Sequence, residues 1–167
     1  CVLHSSIFIS PNITKVISAT LAVSHTAGYD SAWSYHQRRN LTYCVSDNFG
    51  AKKARMVTAM AVAASAWEAA GDVKFVYEPL QDADCTTTNN NVLFNVTYLN
   101  DTNSNTYARA FFPSDSRPNR SLVVWPLSFS NDPHNTLEGI LRHELGHTLG
   151  FRHEHIRPQN GDTSCAE

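Results

Sequence analysis

Charge of either sign is scarce in this 167-residue sequence: 13 Lys and Arg stand against 15 Asp and Glu, for a net charge of −2. Without a basic excess there is no electrostatic footprint for nucleic acid or an anionic membrane surface. No apolar run approaches the ~18 residues a spanning helix needs, so no membrane span is expected. With 7 Gly and 7 Pro the chain is neither collagen-like nor a linker, and at 42% hydrophobic residues it is not a disordered segment. Its 4 cysteines include no CxxC pair, which argues against a thiolate zinc site and a redox dithiol. No signal peptide heads the sequence. The length suits one domain able to bury about two-thirds of its unfolded surface.

What is present has more to say. Cys1, Cys44, Cys85 and Cys165 are even in number, which favours disulfides in an oxidising compartment. Sequons at Asn12, Asn40, Asn95, Asn100 and Asn119 fit the same place, and a secreted, extracellular protein is the expectation. Residues 1–36 lack a clean hydrophobic period and read as an N-terminal segment, a propeptide remnant, ahead of a domain over 37–167. Gly28-Tyr29-Asp30 marks a turn within that segment.

From Asn40 the pattern sharpens. Leu41–Val45, Val73–Tyr77, Val92–Leu99, Tyr107–Phe112 and Leu122–Trp125 are rich in β-branched and aromatic residues and read as strands, the second, fourth and fifth closed by prolines. Asp47–Gly50 reads as a turn, and Asp82–Asn91 as a polar loop. Ala51–Ala70 reads as a helix with Met56, Met60, Ala63 and Trp67 along one face, and Gly71 as its left-handed cap. Trp33 and Trp125 are expected in the core with Trp67. A second helix spans Thr136–Leu149 on a stripe of Leu137, Ile140, Leu141, Leu145 and Leu149, with Asn135 as cap and Glu138 completing a capping box. Strand, helix, four strands and a helix make an α+β fold.

The chemistry sits on that last helix. His143-Glu144-Leu145-Gly146-His147 places two imidazoles four residues apart on one face, with Glu144 about 100° round the helix. A helix continued past Leu149 would turn His153 away. Gly150 accepts the positive φ that reverses the chain and brings His153 back as a third ligand. The whole run arises by chance on the order of a few times in 100,000 such chains, so coincidence is a poor explanation. Three neutral imidazoles suit one Zn²⁺ per chain with a fourth position open to water, whose pKa falls from near 16 to about 7. Glu144 is placed to act as general base toward that water and then to pass its proton to a leaving amine, which is peptide hydrolysis. His155 would point away from the metal, and His4, His25, His36 and His134 read as ordinary surface histidines. Asp82, Asp84, Asp101 and Asp162 have no EF-hand spacing.

The run from His143 to Arg157 resembles the zinc signature of the metzincin metalloendopeptidases, and Gly150-Phe151-Arg152-His153-Glu154-His155-Ile156-Arg157 resembles most the astacins and related secreted bacterial peptidases. The resemblance implies zinc on His143, His147 and His153, with Glu144 as base and a protein or peptide as substrate. It also implies a zincin-like upper subdomain: a twisted mixed sheet of about five strands, a backing helix and an active-site helix. An antiparallel edge strand would hold the substrate backbone, here Tyr107, Ala108, Arg109, Ala110 and Phe111. Glu154 matches the astacin glutamate that contacts the mature N-terminus.

The chain also departs from that pattern. Met56 and Met60 both precede the motif, so the methionine turn expected beyond the third histidine is missing, along with most of a C-terminal subdomain. Pro158-Gln159-Asn160-Gly161-Asp162 replaces the aspartate-rich stretch of astacins. The simplest expectation is a trimmed form of a longer enzyme, with a non-catalytic zinc-holding or peptide-binding fragment as the alternative. Cys44 and Cys85, both in the sheet region, are expected to pair. Cys165 would bond within the missing part, and Cys1 stays free, pairs with Cys165 or blocks the zinc as a thiolate.

Overall fold

The structure, a computed structural model, describes residues 23–26 and 29–153. Expectations for Cys1, His4, Asn12, Gly28, Glu154, His155, Asp162 and Cys165 lie outside the described residues.

A two-stranded hairpin, β1 (His25–Thr26) and β2 (Tyr29–Asp30), precedes a five-stranded sheet. The sheet strands are β3 (Leu41–Val45), β4 (Phe75–Tyr77), β5 (Phe94–Tyr98), β6 (Ala108–Arg109) and β7 (Ser121–Val124), in the order β4-β3-β5-β7-β6. The first four in that order run parallel, and β6 closes the edge antiparallel to β7, with Ala108 opposite Val124. This is an α+β fold with a mixed sheet, as a zincin-like upper subdomain requires. Helix α1 (Lys53–Ala70) and helix α2 (Leu137–Thr148) complete it. No helix among the described residues is long and apolar enough to cross a membrane.

Alternation along the strands sets the core. Leu41, Tyr43, Val45, Phe94, Val96, Leu122 and Val124 are buried, and Met56, Met60 and Ala63 of α1 meet Leu141 and Leu145 of α2 in the same cluster. Phe94 stacks on Tyr43, with ring centroids 5.4 Å apart, and lies against Phe111 at the same separation. Trp33 and Trp67 are half-buried and pack against this cluster, and each also donates its indole N–H to a carbonyl of α2.

Several local expectations need correction. The turn at Asp47–Gly50 is a 3₁₀ segment over Asp47–Lys52, kinked at Gly50 (φ 53°), so the α-helix starts at Lys53. Gly71 is extended (φ −152°) rather than left-handed: its N–H closes α1 on the Trp67 carbonyl, and the chain goes straight toward β4. Thr136, not Asn135, caps α2, its hydroxyl accepting from Gly139 N–H. Asn135 instead donates to Asp132 across 2.6 Å, and Glu138 leaves the capping box to pair with Arg55 of α1. The polar loop begins with a 3₁₀ turn at Pro79–Asp84, and Asp82 is buried. It accepts from Val45 N–H (2.8 Å) and the Tyr77 hydroxyl and pairs with Lys53 at 2.8 Å. The sequon residue Asn95 is buried, whereas Asn40, Asn100 and Asn119 are exposed.

Cys44 and Cys85 form a disulfide that ties β3 to the segment after this 3₁₀ turn, across a sequence separation of 41. The chain-entropy cost of a loop that long is about 4 kcal/mol in the unfolded state. Cys44→Ser with Cys85→Ser is expected to lower unfolding stability by ~2–5 kcal/mol in denaturant titrations. An unchanged midpoint would contradict that.

Candidate metal centre

Helix α2 buries Leu137, Leu141 and Leu145 against the core, which fixes its rotation and leaves His143 and His147 on the opposite, open side. The helix then stops sharply. Gly150 has φ 101°, and a Cβ there would lie 2.2 Å from the Ser31 carbonyl oxygen, so only glycine fits. The turn is closed by Gly150 N–H to His147 O (2.8 Å) and Phe151 N–H to Gly146 O (3.0 Å), and it returns His153 toward α2.

The result is a triangle of ring nitrogens. Nε2 of His143 is 2.9 Å from Nε2 of His153, and Nε2 of His147 is 3.1 Å from each of the others. The His147 tautomer is set by its far side, where Nδ1–H donates to Phe151 O at 2.7 Å, so its Nε2 turns a lone pair inward. Inward lone pairs repel unless a shared proton or a cation lies between them. Tetrahedral zinc with Zn–N bonds of ~2.0–2.1 Å wants ligand nitrogens about 3.3 Å apart, and the triangle is close to that. The donor set therefore fits zinc. Loss of hydration, and then repulsion from His147 and His153, push the His143 pKa down to about 4, although part of this residue faces solvent. At neutral pH its imidazole is neutral, the form that binds metal.

Glu144 is buried, and burial pushes its carboxyl up to about 7, opposed by a hydrogen bond from the Ala110 backbone. That contact ties the helix to the chain leaving β6. Of the expected substrate-binding residues, Ala108 and Arg109 form β6, at the edge of the sheet. Tyr107 lies just before it, its hydroxyl donating to Asp132 at 3.3 Å. Ala110 is engaged with Glu144, and the Phe111 side chain is buried in the core against Trp33. Of the five, only Ala108 and Arg109 lie within β6.

The matching family model is described as dual-action HEIGH metallo-peptidase (Peptidase_M57) and covers residues 37–166, with His143–His147 and His153 inside the match. The chain belongs to this family. It is a metallopeptidase, and hence a hydrolase. No curated protein sequence matches it.

Two supports of the metallopeptidase site were not visible in the motif. Trp67 donates from Nε1 to Arg142 O (2.8 Å), stacks on Phe151 with centroids 5.4 Å apart, and lies against Gly146, where a Cβ would sit 3.1 Å from its ring. A side chain at the glycine inside the motif would need the Trp67 ring to give by a few tenths of an ångström. Phe112 and His147 meet edge to face at 5.7 Å, and the Arg152 guanidinium lies over the Phe112 ring at 5.2 Å. The only available signal was the small residue between the two histidines, which implies a bulky neighbour without naming it.

Proposed function

We propose that this metallopeptidase is a secreted, metzincin-type endopeptidase that holds one zinc ion on His143, His147 and His153 and uses Glu144 as general base. The mutual approach of three Nε2 atoms, with a buried glutamate next in the chain to His143, carries this reading. Bound zinc supplies Lewis acidity, polarising the scissile carbonyl and lowering the pKa of water at the site. Glu144, a buried carboxyl next in the chain to His143, would accept the proton of the attacking water and deliver it to the departing amine. The main-chain groups of Ala108 and Arg109 on the free side of β6 suit pairing with an extended peptide, which would bring the scissile bond alongside α2. A histidine as third ligand, set six residues past His147 by a glycine turn, favours the metzincin type over a gluzincin, whose third ligand is a glutamate. The disulfide suits an extracellular setting.

Zinc content and casein cleavage together test the proposal. About one zinc per chain is expected, with cleavage lost on chelation and restored by zinc. Cleavage indifferent to chelation would contradict it. Zinc uptake without turnover would leave only a metal-holding or peptide-binding role.

A further inference from the structure

The family match begins at residue 37, yet the residues before it grip the turn that carries the third histidine. Val23 forms an antiparallel bridge with Phe151, and Ser24 N–H donates to Gly150 O at 2.8 Å. The hairpin of β1 and β2 folds this strand back, and Ser31 N–H closes it on Ser24 O at 2.6 Å. Ser24 and Ser31 are both buried. The Ser31 carbonyl fills the space beside Gly150 that a side chain would need, and its hydroxyl accepts from Ser114 N–H at 3.0 Å. Trp33 then donates from Nε1 to Thr148 O at 2.7 Å, at the end of α2, while Arg120 lies over its indole at 4.8 Å.

The attachment points matter because of what they flank. Thr148 follows His147 directly, and Gly150 and Phe151 lie between His147 and His153. The Phe151 carbonyl is also the group that holds His147 Nδ1–H and so turns Nε2 inward. Helix ends fray and glycine turns are soft, so a turn with these constraints removed would sample orientations in which the ring nitrogens do not meet. Groups that hydrogen-bond a metal-ligating histidine, as the Phe151 carbonyl does here, typically govern metal affinity by about 10–100-fold, and the strap holds the segment that carries that carbonyl.

We infer that residues 23–26 and 29–33 form a strap that positions His147 and His153 for metal, with Trp33 and the Ser24 N–H as its positioning groups. The strap takes no part in the chemistry, and the inference rests on the metal-site reading above. Trp33→Phe keeps an aromatic ring under Arg120 and removes the N–H together with part of the indole ring that packs against the core. Ser24→Pro removes the other donor and serves should the first variant fold poorly. Tyr77→Phe, on the far edge strand β4, removes a hydroxyl donated to buried Asp82 and controls for a general loss of stability.

The measurements are zinc affinity by chelator competition at 25 °C and the visible spectrum of the Co²⁺-substituted full chain. A zinc affinity weakened about 10-fold in Trp33→Phe or Ser24→Pro is expected, with altered Co²⁺ absorption bands and no change of either in Tyr77→Phe. Wild-type affinity and spectrum in both strap variants would overturn the strap while leaving the metal site intact. Equal weakening in Tyr77→Phe would overturn it as a mere stability effect. Refusal of zinc by the wild-type chain would overturn both readings.

Discussion

Glu144→Gln is expected to lower kcat for peptide hydrolysis by roughly 10²–10⁴-fold while zinc content stays near one per chain. Glutamine keeps the size of the side chain and can still accept from Ala110 N–H, so α2 and the three histidines keep their places. What disappears is a group able to take a proton from water and give it to an amine. Burial raises the Glu144 carboxyl and a cation on the three histidines would lower it again, which keeps it ionised and ready to accept a proton at neutral pH. A loss confined to kcat, with KM and zinc retained, separates this role from a metal-binding or structural one. Full activity in the variant would remove Glu144 from the reaction.

Gly150→Ala is expected to damage fold and metal site together. Its φ of 101° is strained for any L side chain, and the new methyl would lie 2.2 Å from the Ser31 carbonyl oxygen, which is backbone and cannot simply swing aside. Strain of this kind costs about 1–3 kcal/mol, and the clash adds to it. For a chain of this length each kcal/mol lowers the melting temperature by about 2–4 °C, so a fall of roughly 5–15 °C is expected in a thermal scan. Zinc affinity should drop by at least ~10-fold, because relief of the clash moves the segment that carries His153. An alanine variant with unchanged melting temperature and zinc affinity would show that the turn tolerates a side chain, and the geometry derived for His153 would then be wrong.

The parts of the fold that were legible in sequence are those set by short-range periodicity. β-branched and aromatic alternation found β3, β4, β5 and β7, and the apolar stripe Leu137-Leu141-Leu145 found α2 and its rotation. The placement of His153 was legible because a single residue decides it: glycine at position 150 permits the reversal, and the structure has Gly150 at positive φ. The errors share a cause of the opposite kind. Asn135 and Thr136 are both good caps by local chemistry, and the choice is made by Asp132, which engages Asn135. Glu138 suits a capping box until Arg55, some eighty residues earlier, offers a charge. Gly71 would serve as a left-handed cap were the chain not already extended there on its way to β4, four residues on. Asp82 looks like loop polarity until Tyr77, Lys53 and Val45 N–H converge on it. Trp33 and Trp67 do pack against the core as read, but nothing local reveals that their N–H groups also grip the carbonyls of a helix more than seventy residues away.

Zinc K-edge X-ray absorption on the zinc-loaded chain tests the central claim most directly, since it reads the identity and distance of the atoms around the ion. The account predicts three imidazole nitrogens at about 2.0–2.1 Å with one further light atom from solvent, and the loss of one imidazole in His153→Ala. A sulfur shell near 2.3 Å, or a wild-type spectrum with only two imidazoles that His153→Ala leaves unchanged, would contradict it.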